Sequence, residues 1–139
     1  MAQSIREVMT ADPRTVESGA TVADAAREMR DGDVGSVVVV ENGKVAGIVT
    51  DRDIAVRVVA LGLDPDATGV SEAATMRPVT LTVDQSVDDA IRLVREQNVR
   101  RIIVLQDGRP AGIVSLGDLA IERDTDSALA DIASEPANN

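Results

Sequence analysis

Gly47-Ile48-Val49-Thr50-Asp51-Arg52-Asp53 and Gly112-Ile113-Val114-Ser115-Leu116-Gly117-Asp118 are two versions of one pattern, Gly-Ile-Val-[Thr/Ser]-x-x-Asp, 65 positions apart (47 to 112). The same offset pairs Glu7 with Glu72, Thr10 with Thr75, Pro13 with Pro78, Thr15 with Thr80, Val22 with Val87, Asp24 with Asp89, Arg27 with Arg92, Val34 with Val99 and Gly43 with Gly108. No gap is needed from Ile5/Val70 to Ala55/Ala120, so the chain is a duplication of one unit of roughly 55 residues.

Each copy carries the same run of local signals. Pro13-Arg14-Thr15-Val16 reads as a short extended piece, because proline lacks the N–H a helix interior needs and biases its neighbour away from helix. Thr21-Val22-Ala23-Asp24 is a capping box, a hydroxyl followed three residues later by a carboxylate, and the helix it opens has Val22, Ala25, Ala26 and Met29 along one face. In the second copy the helix follows Ser86 and Asp89 and carries Val87, Ala90, Ile91 and Val94. Two β-branched runs come next, Val37–Val40 and Val45–Val49, joined through Asn42-Gly43, a pair that readily takes the positive φ angles of a tight hairpin. These runs are apolar almost throughout, as in strands covered on both faces. A last helix is expected after Thr50 to about Leu61, with Ile54, Val58 and Leu61 on one face and Gly62 as its stop.

The expected fold class is α/β (α+β): tandem repeats, each β-α-β-β-α, packed about a pseudo-twofold axis because one copy has too little core alone. Residues 1–62 form the first repeat, 63–69 the connector, 70–125 the second repeat and 126–139 an acidic tail in which Ser127–Ala133 could add a helical turn or two. Short helical lead-ins are expected at Ser4–Met9 and Val70–Ala74.

Composition narrows the chemistry. With no Phe, Tyr or Trp among 139 residues, ligand contacts must be aliphatic or backbone-mediated, so ring stacking is disfavoured. The absence of His and Cys removes the commonest general base, disulfides and thiolate metal sites. One lysine, Lys44 in a turn, and no Walker loop, Gly-x-Gly-x-x-Gly or Gly-x-Ser-x-Gly elbow leave little for an enzyme. Asp31, Asp33, Asp51, Asp64 and Asp66 could be put forward for Mg²⁺, but helix-end and loop carboxylates are usually just solvated. A net charge of −10 disfavours nucleic acid and anionic lipid as partners. With no apolar leader and no segment approaching a membrane span, a cytoplasmic protein is expected.

The repeated ending is the sharpest chemical feature. A helix start favours an anion, and the hydroxyl of Thr50 or Ser115 adds a hydrogen bond to it. The carboxylate of Asp53 or Asp118 can accept from two vicinal hydroxyls, as when a ribose is held. The same spacing is also a capping box, which helix initiation alone explains.

Taken together, these features resemble the CBS-domain family, the tandem repeats also called Bateman modules. The resemblance runs from Ile5 to about Arg123 and rests on the Pro-x-Thr-Val/Leu opening, the capped helix, Val99-Arg100-Arg101-Ile102-Ile103-Val104, the glycine turn and both endings. Val49–Ile54 followed by Ala60–Pro65 looks like the stand-alone two-repeat type found among actinobacterial hypoxic-response proteins. The resemblance implies clefts between the repeats that take adenosine-containing ligands, AMP, ADP, ATP or S-adenosylmethionine, with or without Mg²⁺ and with no cofactor required. Carried over by position, Asp53 and Asp118 would hold ribose hydroxyls, Thr50 and Ser115 would face phosphate, Thr15 and Thr80 would meet the adenine edge, and Val34 and Val99 would line the base pocket. Arg100 and Arg101 would reach phosphate, and the first copy has Gly35 and Ser36 in their place, so unequal sites are expected. The alternative for the arginines is a surface pair answering Glu96 and Asp107.

The leading expectation is therefore a non-enzymatic adenine-nucleotide sensor, a homodimer signalling occupancy to a protein partner. The second is a structural or interaction protein with empty clefts, acting through homo- or hetero-association. An acid-catalysed hydrolase ranks far below both.

Overall fold

The β-branched runs become strands and the capped segments helices, in two sheets that each draw strands from both halves of the sequence. The computed structural model describes residues 4–123, so the expected tail at 126–139 and its helical turn at Ser127–Ala133 lie outside the described residues. In chain order the elements are α1 (Ile5–Val8), β1 (Thr10–Ala11), β2 (Thr15–Glu17), α2 (Val22–Gly32), β3 (Ser36–Glu41), β4 (Lys44–Thr50) and α3 (Asp51–Ile54), which continues as a π-helical segment, Ala55–Val59. The second copy follows with α4 (Val70–Ala73), β5 (Thr75–Met76), β6 (Thr80–Thr82), α5 (Val87–Gln97), β7 (Arg101–Gln106), β8 (Arg109–Ser115) and α6 (Leu116–Arg123).

One sheet has the order β2-β3-β4-β5 and the other β1-β8-β7-β6. β2 and β3 run parallel across the α2 crossover, with Thr15 opposite Val38, and β6 and β7 repeat this with Thr80 opposite Ile103. The hairpins turn through Asn42 and Gly43 (φ 54° and 78°) and Asp107 and Gly108 (φ 54° and 78°), the positive angles their residue types anticipate. Val37, Val38, Val39 and Val40 are all buried, and only Val37 and Val39 join the core under α2, so both faces of β3 are covered.

The compact units do not coincide with the sequence halves. One unit joins the chain up to Ala11 with the second copy from Val79, and the other is built mainly from Asp12–Pro78. Each lead-in thus serves the other copy. Ile5 is fully buried in the core of Leu81, Ile102 and Val104, and its N–H donates to Gln85 O at 2.8 Å. Val70 and Ala73 enter the core of Val22, Val37 and Val49, and Val70 N donates to Ala20 O at 2.9 Å. β1 pairs antiparallel with β8 and β5 with β4, covering strand edges that would otherwise present unpaired backbone groups.

Both long helices start at capping boxes, Thr21 with Asp24 and Ser86 with Asp89, as the sequence predicts. Their acid partners titrate below the ordinary 3.8: Asp24 mainly through the backbone hydrogen bond at Thr21, and Asp89 mainly through the one at Ser86. Two side chains depart from the predicted faces. Ala26 is exposed on α2, where Val22, Ala25 and Met29 alone are buried. Leu61 is 68% exposed although Val58 is buried. Between them the helix widens, with Ala60 N donating to Ala55 O at 2.9 Å five residues back, and this slips the apolar face. Gly62 does stop the helix: at φ 71° it sits in a Schellman closure, Gly62 N to Val59 O and Leu63 N to Val58 O.

Candidate functional site

Strand direction decides which residues meet. Because β2 and β3 are parallel and β4 returns antiparallel, the starts of β2 and β3 and the end of β4 lie at one end of the sheet. That end carries Thr15, the Val34-Gly35 approach to β3, Ser36 opposite Thr50, and Asp53 in the first turn of α3. The second unit gathers Thr80, Val99, Arg100, Arg101, Ser115 and Asp118 in the same way, since Leu116 N donates to Arg100 O at 2.9 Å and ties the end of β8 to the start of β7. The residues singled out in the sequence therefore fall into two sets, one per unit.

Both endings form reciprocal caps. Thr50 N donates to Asp53 Oδ2 at 2.9 Å and Asp53 N to Thr50 Oγ1 at 3.0 Å. Ser115 N donates to Asp118 Oδ2 and Asp118 N to Ser115 Oγ, both at 3.2 Å. The capping reading thus holds as geometry. It does not exhaust the groups. Each carboxylate spends one oxygen on the cap, and among the described residues Oδ1 of Asp53 and of Asp118 makes no hydrogen bond or ion pair. Each hydroxyl accepts from the backbone and keeps its own proton to donate. Both carboxylates are half-buried, which fits groups meant to be reached from one side.

The flanking residues differ in how free they are. Thr15 is exposed and Thr80 half-buried; the carbonyls before them, of Arg14 and Val79, accept from Val38 N at 2.8 Å and Ile103 N at 3.2 Å. Val34 is 40% exposed, whereas Val99 packs against the core of its unit. Arg100 and Arg101 are exposed, and among the described residues neither makes an ion pair, so bridges to Glu96 and Asp107 are not formed.

Two features of this end were not foreseen from sequence. Arg14 pairs with Glu28 at 3.2 Å and lies over Gly32, where a Cβ would come within 2.6 Å of its Nε. Asp51 accepts the Arg52 N–H on Oδ1 at 2.8 Å while Asp51 N donates to Gly35 O at 2.9 Å, so the first three amides of α3 are all engaged. Neither feature has a sequence signal, because both depend on side-chain direction. The chain has no His or Cys, and among the described residues no three Asp or Glu side chains come together as a group that could hold a metal ion. No helix among those residues is long and apolar enough to cross a membrane.

The model of the CBS domain matches residues 5–60 and again 70–123. The CBS domain-containing protein YhcV of Bacillus subtilis is 38% identical over 120 residues, 86% of this chain and 85% of its own length. Hypoxic response protein 1 of Mycobacterium tuberculosis is 31% identical over 116 residues, 83% of this chain and 81% of its own. Among solved structures, the CBS domain protein PAE2072 from Pyrobaculum aerophilum, complexed with AMP, superposes with a TM-score of 0.78 at 27% identity, covering 96% of this chain and 100% of that one.

Proposed function

The chain belongs to the CBS-domain family, and from that premise we propose that it is a regulatory module, not a catalyst, which binds adenosine-containing ligands such as AMP, ADP, ATP or S-adenosylmethionine at the two sheet ends. One observation carries the reading: a ribose-competent carboxylate, Asp53 or Asp118, with its second oxygen unused, stands with its capping hydroxyl at the sheet end from which β2 or β6 also starts, at Thr15 or Thr80. The AMP complex of a structure with the same fold supports the ligand class. Ligand occupancy is then read by a protein partner in the cytoplasm. Mg²⁺ enters with a polyphosphate ligand.

We further assign a homodimer. The support is that Val56, Val59, Leu61 and Leu63 are all exposed within one short stretch of chain, Val59 and Leu61 each at 68%, apolar side chains that a second copy would cover.

Calorimetric titration with AMP, ATP and S-adenosylmethionine tests the ligand. At least one is expected to bind. Replacing Asp53 and Asp118 together by Asn keeps an oxygen for each cap but puts an NH2 donor in place of the free oxygen that would accept from the ribose, and is expected to weaken binding on the order of 10- to 100-fold. Titrations without heat for the whole panel, or binding unchanged in the double variant, would remove the proposal and leave an association protein with empty sites.

A further inference from the structure

We infer that Met76 is a reversible oxidation site: a peroxide converts its thioether to the sulfoxide, and the sulfoxide loosens β5 from β4. No bound ligand is needed for this, so it stands or falls separately from the ligand class proposed above.

The place of the sulfur carries it. Gly47 opens the repeated ending, and the spot where a Cβ would stand on it is bordered by Met76 Sδ and Thr75 O, each 2.8 Å away, and by Met76 Cα at 3.5 Å. A thioether thus lies over the glycine where its own side chain would be. The other unit repeats this on Gly112, with Met9 Sδ at 2.5 Å and Thr10 O at 2.8 Å from the corresponding spot. The two methionines are not equivalent in the duplication, because the offset of 65 pairs Met9 with Ala74 and Ala11 with Met76. Two sulfurs brought from different positions into the same contact mark the thioether as the group that fits there.

Exposure separates the methionines. Met76 is 41% exposed, Met9 is half-buried and Met29 lies in the core, so of these three Met76 is the one an oxidant reaches most readily. In the step the Sδ lone pair takes one oxygen of hydrogen peroxide. An S–O bond forms, the O–O bond breaks, sulfur gives up two electrons and the peroxide leaves as water. The new oxygen is a hydrogen-bond acceptor, and none of the three atoms around the Gly47 spot donates. Kept over Gly47, it faces the Thr75 carbonyl unpaired; turned to water, it lifts the side chain off the glycine.

β5 has little else to hold it. It is two residues long, with Met76 opposite Gly47 and Thr75 opposite Ile48, and beyond it Arg77 N donates to Ala46 O at 3.2 Å. A ladder this short belongs to the low-stability end of a fold. Its release reaches the candidate site by two routes. β4 runs on into Thr50, and Ala73 O, just before β5, accepts from Arg57 Nη1 at 3.2 Å in the π-helical segment that follows Asp53.

Full-length protein is treated with graded hydrogen peroxide, and sulfoxide is located by peptide mass spectrometry while the melting temperature and the exchange rate of the Arg77 amide are followed. Met76 is expected to oxidise ahead of Met9 and Met29. Its complete sulfoxide is expected to lower the melting temperature by roughly 3–6 °C and to speed Arg77 exchange on the order of 10-fold. Methionine sulfoxide reductases A and B together should restore both values. Met76→Leu keeps apolar bulk over Gly47 and is expected to show no further change at the same dose. Met9 or Met29 oxidised first, a complete Met76 sulfoxide with melting and Arg77 exchange unchanged, or an equal loss in Met76→Leu at that dose would overturn the inference.

Discussion

Ile5→Ala is expected to lower the unfolding free energy by about 2–5 kcal/mol, with the damage appearing in the second sheet although the residue lies in the first copy. Ile5 is fully buried among Leu81, Val87, Ile102, Val104 and Leu119, and α1 makes its backbone contact to Gln85. Removing three carbons there leaves a cavity between α1, α5 and β7 that backbone pairing prevents from closing. Hydrogen exchange followed residue by residue reads the location. Amides of β7 and β8 should lose protection first, while those of β3 and β4 keep theirs. Protection lost first in β3 and β4 would mean that α1 packs with its own copy, contrary to the structure.

Gly112→Ala is the second large effect, at about 1–3 kcal/mol. Gly112 pairs with Ala11, and a Cβ there would lie 2.8 Å from the Thr10 carbonyl oxygen and 2.5 Å from Met9 Sδ. The methionine can swing away, but the carbonyl is part of the β1–β8 ladder. The double variant Met9→Ala, Gly112→Ala should therefore remain destabilised. Gly47 repeats the arrangement, with a Cβ 2.8 Å from Thr75 O, so Gly47→Ala should release β5 in the same way. Thermal melting measures the cost; a melting temperature equal to wild type for both glycine variants would contradict the close approach of the lead-in strands.

These glycines mark where sequence reading stopped. The glycine that opens Gly-Ile-Val-[Thr/Ser]-x-x-Asp registers in the sequence only as part of a repeated pattern. Its reason is a strand that arrives from the other copy. Reciprocal exchange of lead-ins leaves no periodic trace, since Ile5 and Val70 have the same local surroundings in sequence whichever core receives them. Features governed by a few adjacent residues were readable: the caps at Thr21, Thr50, Ser86 and Ser115, the Asn42-Gly43 hairpin, and the stop at Gly62. The π-helical stretch Ala55–Val59 was not, because its residues suit an ordinary helix equally well.

The site was readable as residue types and spacing, less so as available groups. The repeated Ser/Thr-x-x-Asp satisfies a cap and a ribose equally, and the structure shows that the cap consumes one carboxylate oxygen and leaves the other. The contrast of Arg100-Arg101 with Gly35-Ser36 was visible at once, but Asp51 closing its own helix start required side-chain geometry.

A crystal structure of the protein grown with saturating AMP tests the central claim most directly. The account predicts nucleotide density at the end of the β6-β7-β8 sheet, with ribose hydroxyls on Asp118 Oδ1, the Ser115–Asp118 cap intact and the phosphate beside Arg100 and Arg101. AMP bound away from Asp118, or an empty sheet end at saturation, would contradict it.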